Sequence, residues 1–329
     1  MWDMVESLPS QFRWAAELTL PDVPPHASVL VLGMGGSGVS GTYAGPIAEQ
    51  AGVRVDTHKG YGLPGWAGKG PLVVAVSYSG DTEETLSGVE AALSQGLDIV
   101  AITGGGQLLE LASASGFTVI GVPTGLQPRA ALGYLVGAVL RAVAASTELG
   151  DVRSDLTEAA QVTSGLLTPD GPGRALASDL AEGLAGRVAI IYGAQGPTGA
   201  VARRWKTQIN ENAKTPAYAA LLPEANHNEI AGWESLPHVT RSALGTIMLR
   251  DNDEPPRVAA RFRLTKEEMS PSVPVIGEVY ASGQSMLARM ASLTAIGDAV
   301  SVYLAAELGV DPVTVPAIER LKDTLRGEE

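Results

Sequence analysis

Four short polar islands stand out in a chain otherwise rich in Ala, Leu and Gly. Ser77, Ser79 and Thr82 gather three hydroxyls around Gly80, and Arg129 follows Pro128. Glu211 lies between Asn210 and Asn212, with Gln208 and Lys214 nearby, and His227 lies among Asn226, Asn228 and Glu229. Together these residue types offer hydroxyl donors for an anion and a planar cation that can face a developing oxyanion. They also offer a carboxylate able to carry a proton and an imidazole of the kind that titrates near neutrality. Each has a plainer reading. Ser79, Asp81 and Thr82 could cap a helix. Glu211 could be a solvated residue at a helix end, Arg129 a partner of a surface carboxylate, and His227 a structural histidine held by its neighbours. Gln208, Glu211 and Lys214 are spaced three apart, so one helix could present Glu211 between polar neighbours.

Two loops must position these groups. In SVLVLGMGGSGVSG, a short apolar strand runs into Gly33, Gly35 and Gly38, with Gly36 and Ser37 inside the loop. The pattern G-x-G-x-x-G, with Asp56 downstream, fits dinucleotide binding. It fits any phosphate equally, because glycines admit backbone N–H groups and the following helix favours an anion. A bare glycine turn is the third reading. The second loop, SYSGDTEET, also leaves the carboxyl end of a strand. Two Ser/Gly loops meeting at one crevice suit a small monophosphate better than a long dinucleotide.

The surrounding pattern is α/β. Strands are expected at Val29–Leu32, Val53–Val55, Leu72–Val76, Asp98–Ile102 and Phe117–Val122. Helices are expected from Thr82, over Gln107–Ala114 and over Ala130–Ala145. The polar stretch Gly150–Gly173 reads as a helical linker with a loop. A second strand–glycine-loop–helix unit follows at Val188–Tyr192 and GAQGPTG, with a strand at Leu244–Leu249 and helices over Ser285–Leu308 and Val315–Leu325. Its likeness to the first unit suggests an internal duplication. The expected organisation is a helical lead-in over residues 1–24, a first doubly wound domain over 25–150, a linker over 151–180 and a second such domain over 181–329.

Bulk properties bound the function. The chain has 329 residues and is 45% apolar, which suits two cores. A net charge of −13 argues against nucleic acid or an anionic membrane as a partner. There is no cysteine, so thiolate chemistry and Cys-bound metals are absent. The four histidines, His26, His58, His227 and His238, form no H-E-x-x-H pair, and no Gly-Lys-Ser/Thr follows the first glycine loop. No metal or other cofactor is expected. The N-terminus lacks a basic segment followed by an apolar one, and apolar runs are broken throughout, so a cytoplasmic location is expected.

At SYSGDTEET the chain resembles the sugar isomerase (SIS) domain family, whose members bind phosphosugars with such a loop. GMGGSGVSG, SYSGDTEET, PRAALGYL, QINENAKTPAY and LPEANHNEIAGW occur in that order. Together they resemble the bifunctional phosphoglucose/phosphomannose isomerase family over nearly the whole chain. The resemblance implies two SIS domains and a homodimer with active sites near the subunit boundary. It implies interconversion of glucose 6-phosphate, and of mannose 6-phosphate, with fructose 6-phosphate. By the same resemblance, Gly36, Ser37, Ser77, Ser79 and Thr82 hold the phosphate and Glu211 is the base. Arg129 lies near the enediolate, His227 assists ring opening, from its own or the partner subunit, and Lys322 contributes beside it. Thr314 is the candidate for acceptance of both C2 epimers.

Two departures from the family pattern stand out. Asp81 replaces a common asparagine, and the spacing in DPVTVPAIERLK differs around Lys322, which bears on the mannose side. Two other classes of function compete with the isomerase. A non-catalytic phosphosugar sensor would have no need of Glu211, Arg129 and His227. A nicotinamide dehydrogenase would have no use for SYSGDTEET.

Overall fold

A computed structural model describes residues 1–327. The chain forms two compact units, each discontinuous in sequence. One comprises Glu6–Gly165 and Ser282–Ser292; the other comprises Met1–Val5, Leu166–Ala281 and the chain from Leu293 onward.

The first unit is built on a five-stranded parallel sheet. Its strands are β1 (Ser28–Leu32), β2 (Arg54–His58), β3 (Leu72–Ser77), β4 (Ile99–Thr103) and β5 (Thr118–Gly121), in the order β2-β1-β3-β4-β5. Helices pack on both faces. β1 and β3 are apolar along nearly their whole length because they are central strands covered on both sides. On one face Leu30, Leu32, Val73 and Ala75 meet Val89 and Leu108. Winding reverses between β1 and β3, and their carboxyl ends lead into the glycine loop and the hydroxyl loop.

The second unit has a four-stranded parallel sheet. β6 (Val188–Ala194), β7 (Ala217–Leu222), β8 (Leu244–Arg250) and β9 (Val275–Tyr280) lie in the order β7-β6-β8-β9. This is the order of the first four strands of the other sheet, which is the topology a duplication would leave. β7 and β9 have no counterpart among the strands expected from sequence.

Two helical regions depart in detail from expectation. The lead-in is two helices, Trp2–Glu6 and Leu8–Glu17, and residues 18–27 are not helical. Pro9 suits the first turn of the second helix, while Pro21, Pro24 and Pro25 prevent its continuation. The expected linker forms the helices Arg153–Leu167 and Pro172–Leu184, separated at Gly171 with Pro172 opening the second.

The helix Pro197–Asn212 carries Glu211 in its last turn. Three contacts fix it on the part of the helix Met286–Glu307 that runs from Leu293 onward. Arg204 and Asp298 form a two-pronged buried pair, with Nε–Oδ1 at 3.1 Å and Nη2–Oδ2 at 2.6 Å. Trp205 Nε1 donates to the Leu293 carbonyl at 2.9 Å, and Asn212 Nδ2 donates to Ser301 Oγ at 2.8 Å. Removing one partner of a buried pair strands the other charge away from water. Asp298→Ala is therefore expected to lower unfolding free energy by about 3–5 kcal/mol in urea titrations. A loss below about 1 kcal/mol would place the pair among contacts of surface-bridge strength.

Candidate active site

In the first unit, the helix Gly35–Glu49 starts directly after β1 and the glycine loop. Gly36 lies in its first turn. A Cβ there would meet the Pro128 carbonyl oxygen at 2.9 Å and Arg129 Cα at 3.1 Å. Glycine thus allows the turn Pro128–Ala130 to lie against the loop, which brings the Arg129 backbone beside Gly36. Ser37 is buried, and its Oγ accepts the backbone N–H of Tyr78 at 3.2 Å, joining the first loop to the second.

The second loop is folded on its own hydroxyls. Ser77 Oγ and Thr82 Oγ1 are 2.8 Å apart, and Gly80 N–H donates to Ser77 Oγ at 3.1 Å. Thr82 occupies the N-cap position of the helix Glu83–Ser94, yet its side chain makes no capping bond. Its hydroxyl faces Ser77 instead, so simple capping does not account for the cluster. Ser79 is exposed, and its Oγ accepts the Asp81 N–H at 3.3 Å. Asp81 Oδ1 accepts the backbone N–H of Gln107 at 3.0 Å, near the start of the helix Gly106–Ser115. The carboxylate at this position is thereby used to hold the neighbouring loop.

Tyr78, inside the same loop, was not singled out by sequence reasoning. Its hydroxyl donates to the Pro123 carbonyl at 3.0 Å and accepts the Leu126 N–H at 3.1 Å. Burial pushes its pKa up. It thus secures the segment leading to Arg129, and an aromatic between two loop serines was the available signal. Arg129 is buried, with Nη1 3.5 Å from Gln127 Oε1. Asp56, the acidic residue a dinucleotide would need, accepts Arg54 Nε at 2.5 Å.

In the second unit, the residues flanking Glu211 have structural tasks. Asn210 Oδ1 accepts the Ala217 N–H at 2.8 Å and so fixes the start of β7, while Asn212 holds Ser301. Lys214 lies past the helix in the left-handed region, with φ 55°. It is not the helical neighbour that the three-residue spacing anticipated. Its ammonium instead donates to the carbonyls of Glu211 at 2.7 Å, Asn212 at 3.4 Å and Asp311 at 2.7 Å. Lys214 thereby ties the Glu211 helix end to the turn bearing Thr314. In that turn Thr314 Oγ1 donates to Asp311 Oδ2 at 2.7 Å. This bond, with the N–H groups of Val313 and Thr314, holds the Asp311 carboxyl down at about 2.

His227 is exposed at the end of the short turn Glu224–His227. Its neighbours do not hold it. Asn226 bonds Thr265 and Arg261, Asn228 bonds Glu224 and the Glu229 N–H, and Glu229 accepts the Tyr192 hydroxyl. The turn is braced while the imidazole stays accessible. Lys322 is exposed on the helix Pro316–Arg326 and bonds no other described residue. The structure therefore brings together Gly36, Ser37, Ser77, Ser79, Thr82 and Arg129 within one unit. It links Glu211 to Thr314 within the other, and shows no bond from His227 or Lys322 to either.

Residues 174–325 match the bacterial phospho-glucose isomerase C-terminal SIS domain family. A bifunctional phosphoglucose/phosphomannose isomerase of Caldicellulosiruptor bescii is 38% identical, over 99% of this chain and 98% of its own. The chain belongs to the bifunctional phosphoglucose/phosphomannose isomerase family. Within that family the protein from Aquifex aeolicus is 36% identical over 99% of this chain and 98% of its own. Among solved structures, tagatose-6-phosphate ketose/aldose isomerase from Escherichia coli aligns with a TM-score of 0.72 at 13% identity, covering 95% of this chain and 94% of that one. At that identity the likeness speaks to the SIS fold alone.

Gly80 provides a test of the hydroxyl loop. Its φ is +84°, and a Cβ there would lie 1.8 Å from the Gly105 carbonyl oxygen. Gly80→Ala is expected to weaken binding of inorganic phosphate at least about tenfold by calorimetry, since both backbone strain and the clash displace the loop. Unchanged affinity would remove this loop from anion binding.

Proposed function

We propose that the protein interconverts glucose 6-phosphate, and mannose 6-phosphate, with fructose 6-phosphate. The observation that carries this reading is the full-length match to the bifunctional isomerases. The paired Ser77 and Thr82 hydroxyls at the carboxyl end of β3 support it.

Aldose–ketose isomerisation needs an open ring, a base that moves a proton between C2 and C1, a donor for the enediolate oxygens and an anchor for the phosphate. In this reading Gly36, Ser37, Ser77, Ser79 and Thr82 provide the anchor. Binding energy from the unreactive phosphate then orients the carbons that react. His227 assists ring opening by moving a proton at the ring oxygen, with Lys322 as a second group. Glu211 takes the C2 proton of the aldose and delivers it to C1, while the O2 hydroxyl proton passes to O1, leaving the carbonyl at C2. Arg129, with its fixed cationic fork, stabilises the negative charge that develops on the enediolate. Thr314, tied through Asp311 and Lys214 to the Glu211 helix end, bears on tolerance of both C2 epimers. The anionic substrate binds despite the acidic chain because local N–H and hydroxyl groups, rather than net charge, make the site. The proposal includes a homodimer, a cytoplasmic location, and SIS domains over residues 25–150 and 181–329. No helix among the described residues is long and apolar enough to cross a membrane.

The test is a coupled assay of EDTA-treated protein supplied with fructose 6-phosphate, following glucose 6-phosphate and mannose 6-phosphate separately. Both products are expected, and Glu211→Gln is expected to slow both by about 10²–10⁴-fold. Binding of fructose 6-phosphate without either product would replace catalysis by phosphosugar sensing. Full activity in Glu211→Gln would remove that residue as the base.

A further inference from the structure

We propose that Gln11, on the N-terminal helix Leu8–Glu17, is a positioning residue for Arg129. The inference rests on the isomerase reading and the role given there to Arg129. Gln11 is fully buried. Its amide reaches across more than a hundred residues to the turn Pro128–Ala130 and the start of the helix Leu132–Ser146. Nε2 donates to the Ala130 carbonyl at 2.8 Å and to Ser7 Oγ at 2.8 Å. Oε1 accepts the N–H of Gly133 at 2.9 Å and that of Tyr134 at 3.4 Å. A glutamine amide has two donor hydrogens and one oxygen with two lone pairs, so its bonding capacity is filled. The partners also fix which way the amide faces. Reversed, it would set oxygen against the Ala130 carbonyl and N–H against the Gly133 N–H.

These bonds grip the backbone immediately after Arg129. The turn also rests against Gly36, where a Cβ would meet the Pro128 carbonyl oxygen. The guanidinium therefore belongs to a short turn that is held by Gln11 and also contacts the anion loop. The helix bearing Gln11 is itself secured at its far end. Arg141 Nη1 donates to the carbonyls of Ala15 and Ala16 at 2.9 Å each, and Trp14 meets Tyr134 edge-on at 5.1 Å. A buried side chain serving only to fill space would be apolar at lower desolvation cost. An amide matched to four backbone and hydroxyl partners instead defines where the turn lies. A misplacement of about 1 Å in a group that stabilises an oxyanion can cost about 10²-fold in rate.

The test is a double-mutant cycle in the fructose 6-phosphate to glucose 6-phosphate direction, with kcat and KM measured well below each variant's melting temperature. Gln11→Met keeps the volume and removes every hydrogen bond. Ser7→Ala removes one partner of the amide and is the milder probe if Gln11→Met does not fold. Gln11→Met is expected to lower kcat about 10- to 100-fold, with KM changed less than about threefold. Ser7→Ala should lower kcat in the same sense, by less. In the Arg129→Ala background either change should cost less than about twofold, because the group being positioned is gone. Equal losses in both backgrounds, or a melting-temperature drop with kcat intact, would overturn the proposal and leave Gln11 a packing residue. Full activity in Arg129→Ala would instead overturn the role of Arg129, and the positioning role with it, while Glu211→Gln would still report separately on isomerisation.

Discussion

Parallel strands leave their loops at one end of a sheet, and a reversal of winding makes two neighbouring loops part from one another. In the first unit that reversal falls between β1 and β3, and the rest of its chemistry follows from the gap. Gly36 lets the Arg129 turn approach from one side, and Ser37 crosses the gap to the Tyr78 N–H. Ser77 and Thr82 face each other across a single turn of chain. Neighbouring segments are fastened to this frame through Asp81 and Tyr78, so few residues in the region are idle.

The second unit has the same winding with different chemistry at the corresponding position. Where β3 ends in Ser77, β8 ends in Arg250, whose guanidinium bonds Glu254 and reaches Glu278 Oε2 at 2.6 Å. Asp251, Asp253 and Glu254 crowd the loop that follows, and such a run of carboxylates opposes an anion. The glycine loop after β6 is closed on itself, with Thr198 Oγ1 accepting the Ala194 N–H at 2.8 Å. At its helix end the Arg204–Asp298 pair sets the helix and Lys214 gathers the terminal carbonyls around Glu211. One topology thus ends its third strand in a hydroxyl-rich loop in one unit and in a cation held by carboxylates in the other.

The central strands were legible because burial on both faces writes them as unbroken apolar runs, as in Val29–Leu32 and Leu72–Val76. β7 and β9 were not. AYAALL exposes Tyr218, and VIGEVY carries Glu278, whose partners Arg250 and Lys266 come from other elements. With Gly277 and Glu278 inside it, β9 has neither an unbroken apolar run nor clean alternation, whereas β7 is apolar but short and without a β-branched residue. The serines and Arg129 were legible as residue types only, Ser77 closing β3 and Arg129 lying in the turn Pro128–Ala130 well past β5. The tasks of Lys214 and Tyr78 were not, because they depend on carbonyls and N–H groups that only folding brings near. The left-handed backbone at Lys214 also defeated a helical spacing argument that treated residues 208–214 as one continuous turn pattern.

The interleaving of the two units bears on how the chain is made. The first unit contains Ser282–Ser292, and Glu158 accepts the N–H groups of Gln284 at 2.6 Å and Ser285 at 2.9 Å. Those partners are translated more than a hundred residues after Glu158. The unit encoded first is therefore complete only once Ser282–Ser292 has been made. Met1–Val5 conversely belongs with segments made last. No single cut in the gene divides the two into units that each keep all their own parts.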